Sequence, residues 1–260
     1  MPEINQEELT LLAAMAYGES YYKENDFEEM AGIAAVLLRQ RDSRGYSTMQ
    51  DFTKSEPTYS FVVRDGNPRY GQLIGTTESQ ITEESSNIST QREDIEKNIQ
   101  SLHTKAQTET SRNNIEALNK KIKINKNKLK SIESAAASNA GKVMAYRAAR
   151  HALEGGVDYS GGAYFWDGWD IKTNYKNHPK VKRGIKITDP AHNIFDIKDN
   201  LVTIIKYKVV TTTKAGKKTQ EKQEIGRYDH VYESTAGHGG TIFWKFNPEY
   251  ANIEHAKDYK

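Results

Sequence analysis

Residues 77–137 contain no Phe, Tyr, Trp, Gly or Pro, and this stretch constrains the fold more than any other. A segment without Gly or Pro lacks the strongest chain breakers, and without Phe, Tyr or Trp it contributes no large ring to a core. It does carry a sparse apolar repeat. Ile88, Ile95 and Leu102 are seven apart, with Ile99 between the last two. After the polar run 108–113, Ile115, Leu118, Ile122, Leu129 and Ile132 recur at spacings of three, four and seven. Such spacing places one narrow apolar stripe on each of two helices, and predicts that they fold back on each other as an antiparallel hairpin with a coiled-coil seam. The alternative is a solvated charged segment without fixed structure. A hairpin returns the chain close to its point of departure, so a globular domain can host it as an insertion. The expected organisation is a discontinuous domain made of residues 1–76 and 138–260, with the helical hairpin inserted at 77–137.

The flanking regions have globular composition, and residues 138–260 hold all three Trp. Leu9, Leu12, Ala13 and Ala16 give one helix face, with Gly18 as a plausible stop. Asp26 with Glu29 three residues on reads as a capping box ahead of Met30, Ile33, Ala34, Leu37 and Leu38. Residues 142–153 read as a helix ending at Gly155-Gly156. Residues 201–213 and 219–225 read as paired strands around a turn at 214–217, and TIFWKF at 241–246 as another strand. The fold class is therefore α+β, helical first and β-rich last.

Composition excludes several function classes. With no Cys, disulfide frameworks, zinc–thiolate sites, iron–sulfur clusters and cysteine nucleophiles are absent. The near-neutral balance of 37 Lys+Arg against 35 Asp+Glu lacks the basic excess of a dedicated nucleic-acid binder. No apolar run approaches the ~18 residues of a membrane-spanning helix. The acidic opening, with Glu3, Glu7 and Glu8, does not read as a cleaved secretory signal. The seven His show no HExxH and no metal-ligand spacing, and GxSxG, GxxxxGK[ST] and GxGxxG are all missing. No metal and no cofactor are expected.

Glu19 is the best single candidate for chemistry. It directly follows a short apolar helix in the string Ala16-Tyr17-Gly18-Glu19-Ser20. The negative end of the helix dipole and shielding by neighbouring aromatic rings both favour its protonated form, which suits a general acid acting on a glycosidic bond near neutral pH. By position alone, the plainer reading as an ordinary surface Glu just past a helix outweighs the catalytic one. Glu28, Glu29, Asp65 and Asp167 are the further carboxylates. Glu29 has its capping role, and Asp65 lies in the turn sequence Arg64-Asp65-Gly66-Asn67. Residues 161–170, GGAYFWDGWD, interleave rings with acids, as a polysaccharide groove requires and as a core strand with an Asp-Gly turn also allows. His238 sits among glycines in AGHGG. Ser60, Tyr164, Trp166, Asp167 and His238 are the residues expected to line a glycan cleft beside Glu19.

Three strings, in order, resemble the spore cortex-lytic (SleB/CwlJ) type of cell-wall hydrolase. They are Ala16-Tyr17-Gly18-Glu19-Ser20 with the following Ala34-Ala35-Val36-Leu37-Leu38 helix, Tyr59-Ser60-Phe61-Val62-Val63-Arg64-Asp65-Gly66, and residues 145–155 leading into Gly161-Gly162-Ala163-Tyr164-Phe165. The resemblance covers roughly residues 9–75 and 140–170. It implies a lysozyme-like helical core with a small β-rich addition and a cleft between them. It also implies peptidoglycan glycan-strand cleavage by a muramidase or lytic transglycosylase, with Glu19 as general acid/base. In a lytic transglycosylase one carboxylate suffices, because the sugar's own C6 hydroxyl closes an anhydro ring. The stretch 21–26 and the region after 170 depart from the family's pattern. The expected setting is an antibacterial effector, delivered by a contractile (type VI) secretion machine, or an endolysin. Either would act in the periplasm or wall of a target bacterium, with peptidoglycan as substrate and an immunity protein, chaperone or secretion-apparatus partner docking on the hairpin. The alternatives are a non-catalytic carbohydrate-binding or interaction module on a lysozyme-like core and, less well supported, a wall amidase.

Overall fold

The computed structural model describes residues 4–59, 61–214 and 217–260. Its architecture is mixed helix and strand, with two small sheets. Helix α1 (Gln6–Glu19) begins where Asn5 Oδ1 accepts the N–H groups of Glu7 and Glu8. From Leu11 to Tyr17 every residue is buried, so this helix is apolar all round and forms the axis of the core. Helix α2 (Phe27–Ser43) starts at the expected Asp26 cap, whose carboxylate accepts the Glu29 N–H at 2.7 Å. Short helices α3 (Met49–Ser55), α4 (Phe61–Arg64) and α5 (Pro68–Leu73) wrap the same axis, and α1 packs against all of them.

Helices α6 (Glu78–Thr108) and α7 (Arg112–Leu153) run antiparallel. Thr77 and Gln80 form a reciprocal capping box at the start of α6. The less exposed positions on α7 are 115, 118, 122, 125, 129, 132, 136 and 139, alternating three and four apart, and they face the Ile81, Ile88, Ile95, Ile99 and Leu102 stripe of α6. Near the core the pair is fixed by Arg150–Glu78 at 2.5 Å, Lys142–Glu84 at 2.6 Å and an Asn139 side-chain bond to the Ile81 carbonyl. The sequence-based boundary at 137/138 falls inside α7, which continues unbroken into the core. There Tyr146 is buried, donates to Thr76 O and lies 2.9 Å from Thr10 Oγ1.

After α7 come β1 (Phe165–Asp167), α8 (Asp170–Thr173), α9 (Pro179–Arg183), β2 (Ile185–Lys186), β3 (Ile204–Lys214), β4 (Lys217–Tyr228), β5 (Tyr232–His238), β6 (Thr241–Phe246) and α10 (Pro248–Glu254). Four strands form one sheet in the order β1-β6-β5-β2, with β2 parallel to β5 and the other pairs antiparallel. Strand β6, the expected TIFWKF, separates two cores. Phe243 faces the helices, whereas Ile242, Trp244 and Phe246 face a second cluster with Ile171, Val181, Ile185 and Phe195. A strand covered on both faces reads as a continuous apolar run, which is the pattern of this segment. The Phe243 ring lies on Gly32 of α2, where a Cβ would stand 2.7 Å from it, so only glycine lets the sheet approach this closely. Strands β3 and β4 pair only with each other, forming an extended ribbon with a bulge at Lys206/Tyr207. The expected connecting turn includes Ala215 and Gly216, which lie outside the described residues. Among the described residues no helix is long and apolar enough to cross a membrane.

Candidate functional site

Glu19 is the last residue of α1, and the chain around it is held by Asn67, the cap of α5, and by Arg69 in its first turn. Asn67 Nδ2 donates to the Gly18 carbonyl at 3.0 Å, and Arg69 Nη1 donates to the Ser20 and Tyr21 carbonyls at 2.9 and 2.7 Å. The Asp65–Asn67 turn was legible from sequence: the Asn67 N–H donates to Asp65 Oδ1, and Gly66 takes the positive φ of 75°. Gly18 does not end the helix. It lies within the last turn, where a Cβ would stand 2.5 Å from the Val62 side chain, so glycine here admits α4 against α1. These contacts fix the backbone on both sides of one carboxylate.

That carboxylate opens into a hollow of about 450 Å³ lined by Thr58, Tyr59 and Phe61 on one wall and Phe165, Trp166 and Lys180 on the other. The Tyr59 and Trp166 rings stand 6.1 Å apart, and Phe61 is largely exposed at the rim. Burial pushes the Glu19 pKa up from 4.5 to about 7; the Trp166 indole N–H, hydrogen-bonded to the carboxylate, pulls it down, and the charges of Asp65 and Asp170 push it up again. An acid that is half protonated near neutral pH, facing an aromatic-lined cleft, can deliver a proton to a leaving oxygen and then take one back. Replacing Trp166 by Phe removes the hydrogen bond that holds this pKa down. The alkaline limb of any activity profile should therefore move to higher pH in Trp166→Phe, and a pH–rate titration reads it directly.

Behind the Trp166 wall lies a second polar cluster. Lys180 Nζ donates to Asp167 Oδ1 at 2.8 Å and to the Trp166 carbonyl at 3.2 Å. His178 Nε2 lies 3.4 Å from Asp167 and 3.4 Å from Asp170. One ligand atom each from Asp167, Asp170 and His178 lies within 4.8 Å of the others, so these three are the residues that could share a cation. The Lys180 ammonium already places a positive charge on Asp167, which compensates the buried carboxylate without one. The sequence spacing of these residues matches no metal motif; the short turns around α8 and α9 bring them together.

The remaining expected cleft residues are dispersed. Among the described members of that set, Trp166 alone shares the lining of the Glu19 hollow. Asp167 is turned into the Lys180 pair, and Tyr164 sits beside Arg39, with its carbonyl accepting from Gln40 Nε2 at 2.6 Å. His238 is engaged between elements, its ring nitrogens 3.0 Å from the Tyr159 carbonyl and 3.0 Å from Glu28. Ser60 lies outside the described residues. Thr58, Phe61 and Lys180 were not singled out as site residues from sequence. Tyr59, Phe61 and Phe165 stand in the strings that carried the family resemblance, but no local signal marked Lys180. A larger hollow of about 650 Å³ opens on the far side of the α1 terminus, between Tyr22, Arg69 and the Ala137–Ser138 stretch of α7. It does not contain Glu19, and its own acid, Glu24, is exposed, so it lacks a shielded proton donor.

Glu29 carries the other strongly perturbed carboxyl. It is fully buried, and its Oε1 accepts from Thr241 Oγ1 at 2.7 Å, the Tyr21 N–H at 3.1 Å and the Gly240 N–H at 3.2 Å. Burial raises its pKa to about 7 against these three bonds. It is enclosed by the β5–β6 turn, where a Cβ on Gly239 would stand 2.5 Å from its Oε2. The same residue thus ties α2 to that turn and to the chain two residues beyond Glu19. No family profile, curated protein or solved structure matches the chain.

Proposed function

We propose that the protein cleaves the glycan strands of peptidoglycan, as a muramidase or lytic transglycosylase, with Glu19 as the general acid/base. The observation that carries this reading is the Glu19 carboxyl itself: it ends a buried helix, has a pKa near 7, and opens into a hollow walled by Tyr59, Phe61, Phe165 and Trp166. Aromatic rings stack on the C–H faces of pyranoses, and a protonated carboxyl between such walls is placed to protonate a glycosidic oxygen. The resemblance of residues 9–75 and 140–170 to spore cortex-lytic hydrolases supports the same assignment, as does a lysozyme-like reading of the α1–α2–α7 core with α6–α7 as an inserted coiled-coil hairpin.

Among the described residues, Asp65 and Asp170 are the acids whose charges raise the Glu19 pKa, and Asp170 is mostly exposed beside His178. A single-carboxylate course, in which Glu19 first protonates the leaving oxygen and then deprotonates the sugar's C6 hydroxyl, uses what this site holds. Hydrolysis would need one of those two aspartates to direct a water. Mass spectrometry of muropeptides after digestion separates the two: anhydro ends mark transglycosylation and reducing ends mark hydrolysis. Intact glycan would refute the enzymatic assignment and leave a carbohydrate-binding module. Delivery as an antibacterial effector or endolysin, acting in the wall of a target cell opposite an immunity partner, belongs to the same proposal.

A further inference from the structure

The chain as a whole is nearly neutral at +2, but its charge is segregated along the α6–α7 hairpin. Close to the core, α6 carries Glu78, Glu83, Glu84, Glu93, Asp94 and Glu96 against Arg92 alone. Over the outer part, residues 97–130, the sequence has nine Lys and Arg against Glu109 and Glu116, a net of +7, so the rest of the protein carries −5. Six of these cations, Lys120, Lys121, Lys123, Lys126, Lys128 and Lys130, fall in eleven consecutive residues of α7 with no acid among them, and all are exposed. Like charges three and four apart on one helix destabilise it. Among the described residues none of these six has an ion-pair partner on α6, although α6 and α7 are in contact along the seam. The fold therefore tolerates an unneutralised positive tip projecting from an otherwise acidic body.

We infer that the outer half of this hairpin is a docking surface for a flexible phosphodiester polyanion of the cell envelope, of the poly(glycerol phosphate) type. The identification of the envelope rests on the glycan-cleaving reading; the polyanion itself rests on the charge. Three features select this partner over other anions. The segment has no Phe, Tyr or Trp, so it lacks the ring platforms on which the bases of a single-stranded nucleic acid stack. Its lysines spread around the solvent side of α7 rather than along one stripe, which suits a chain that can wrap more than a rigid duplex. Ile124 is the one large apolar side chain exposed there among the described residues, too little to bury in a bilayer. Contacts of this kind are Coulombic and release counterions, so they must weaken steeply with salt. Such docking would hold the cleft against wall whose anionic polymers lie among the glycan strands.

The test uses the full chain carrying Glu19→Gln, so that binding is measured without cleavage, and poly(glycerol phosphate) as the probe. Binding should fall roughly three-hundredfold between about 50 and about 200 mM salt, as expected for some six phosphate contacts on a single flexible strand. Changing all six lysines to Gln should abolish it, and changing all six to Arg should retain it. The Gln variant with Glu19 restored should still digest wall stripped of anionic polymer, provided the glycan-cleaving reading holds; failure of that digestion by the unmodified chain as well would count against the enzyme and not against the surface. Unchanged binding after the Gln substitutions would overturn the proposal. So would absence of binding to poly(glycerol phosphate) at low salt, or tighter binding to duplex DNA or to anionic vesicles.

Discussion

Glu19→Gln should lose glycan cleavage by about a thousandfold, the scale of a general acid, and at the same time make the protein more stable at alkaline pH. The second effect follows from the same burial as the first. The folded-state pKa is about 7 against 4.5 for the free side chain, so the folded protein holds this proton more tightly than the unfolded chain. Stability from the neutral form is complete below the unfolded value and is lost as pH rises through the folded one. By about pH 8 the ionised group costs about 3 kcal/mol, and at about pH 5 under about 1 kcal/mol. Gln can still accept from the Trp166 indole and never ionises. Chemical denaturation of both proteins at the two pH values should therefore show a stabilisation that is large at about pH 8 and nearly gone at about pH 5. Equal stability at both values would mean that the carboxyl is hydrated, which would remove the basis for its role as an acid.

Glu29→Ala should destabilise the fold by about 4 kcal/mol, whereas Glu29→Gln should be tolerated. Alanine leaves the Tyr21 and Gly240 N–H groups and the Thr241 hydroxyl without their acceptor in a buried place, besides opening a void. Glutamine keeps an oxygen for those donors and cannot ionise. Because the wild-type carboxyl also has a raised pKa near 7, the Gln protein should gain on the wild type as pH rises past that value. Tyr21 is two residues from Glu19, so Glu29→Ala should also weaken any cleavage activity in the fraction that remains folded. Urea titration at two pH values, with activity measured below the transition, separates the two effects. If Ala and Gln cost the same, the three hydrogen bonds contribute nothing to the tie between α2 and the β5–β6 turn.

The two glutamates show how far each residue's part can be read from sequence. Asp26 capping α2, an apolar face on α1, the stripe on α6 and α7, and TIFWKF as a strand follow from local periodicity and capping chemistry. These act over a few residues and so are written in consecutive letters. Glu19 at the end of α1 was legible for the same reason. The burial of α1 all round and of TIFWKF on both faces came instead from the tertiary packing. The capping box read at Asp26 and Glu29 is half realised: Asp26 caps the Glu29 backbone, while the Glu29 side chain turns to Thr241 and Gly240, more than two hundred positions away.

Sequence by itself determined an α+β chain with a helical hairpin between two globular stretches, and marked one acid at a helix end as chemically unusual. Tertiary structure alone decided what surrounds that acid. Thr58, Tyr59 and Phe61 come from one side of the hairpin, and Phe165, Trp166 and Lys180 from the other. Burial, which sets the Glu19 pKa, depends on all of them at once. Tyr164 and His238, equally attractive as letters, were drawn instead into contacts with Arg39 and Gln40 and with Tyr159 and Glu28. A side chain's neighbours through space follow from packing of distant segments, and no local pattern encodes which of several suitable rings and acids that packing will bring to one wall.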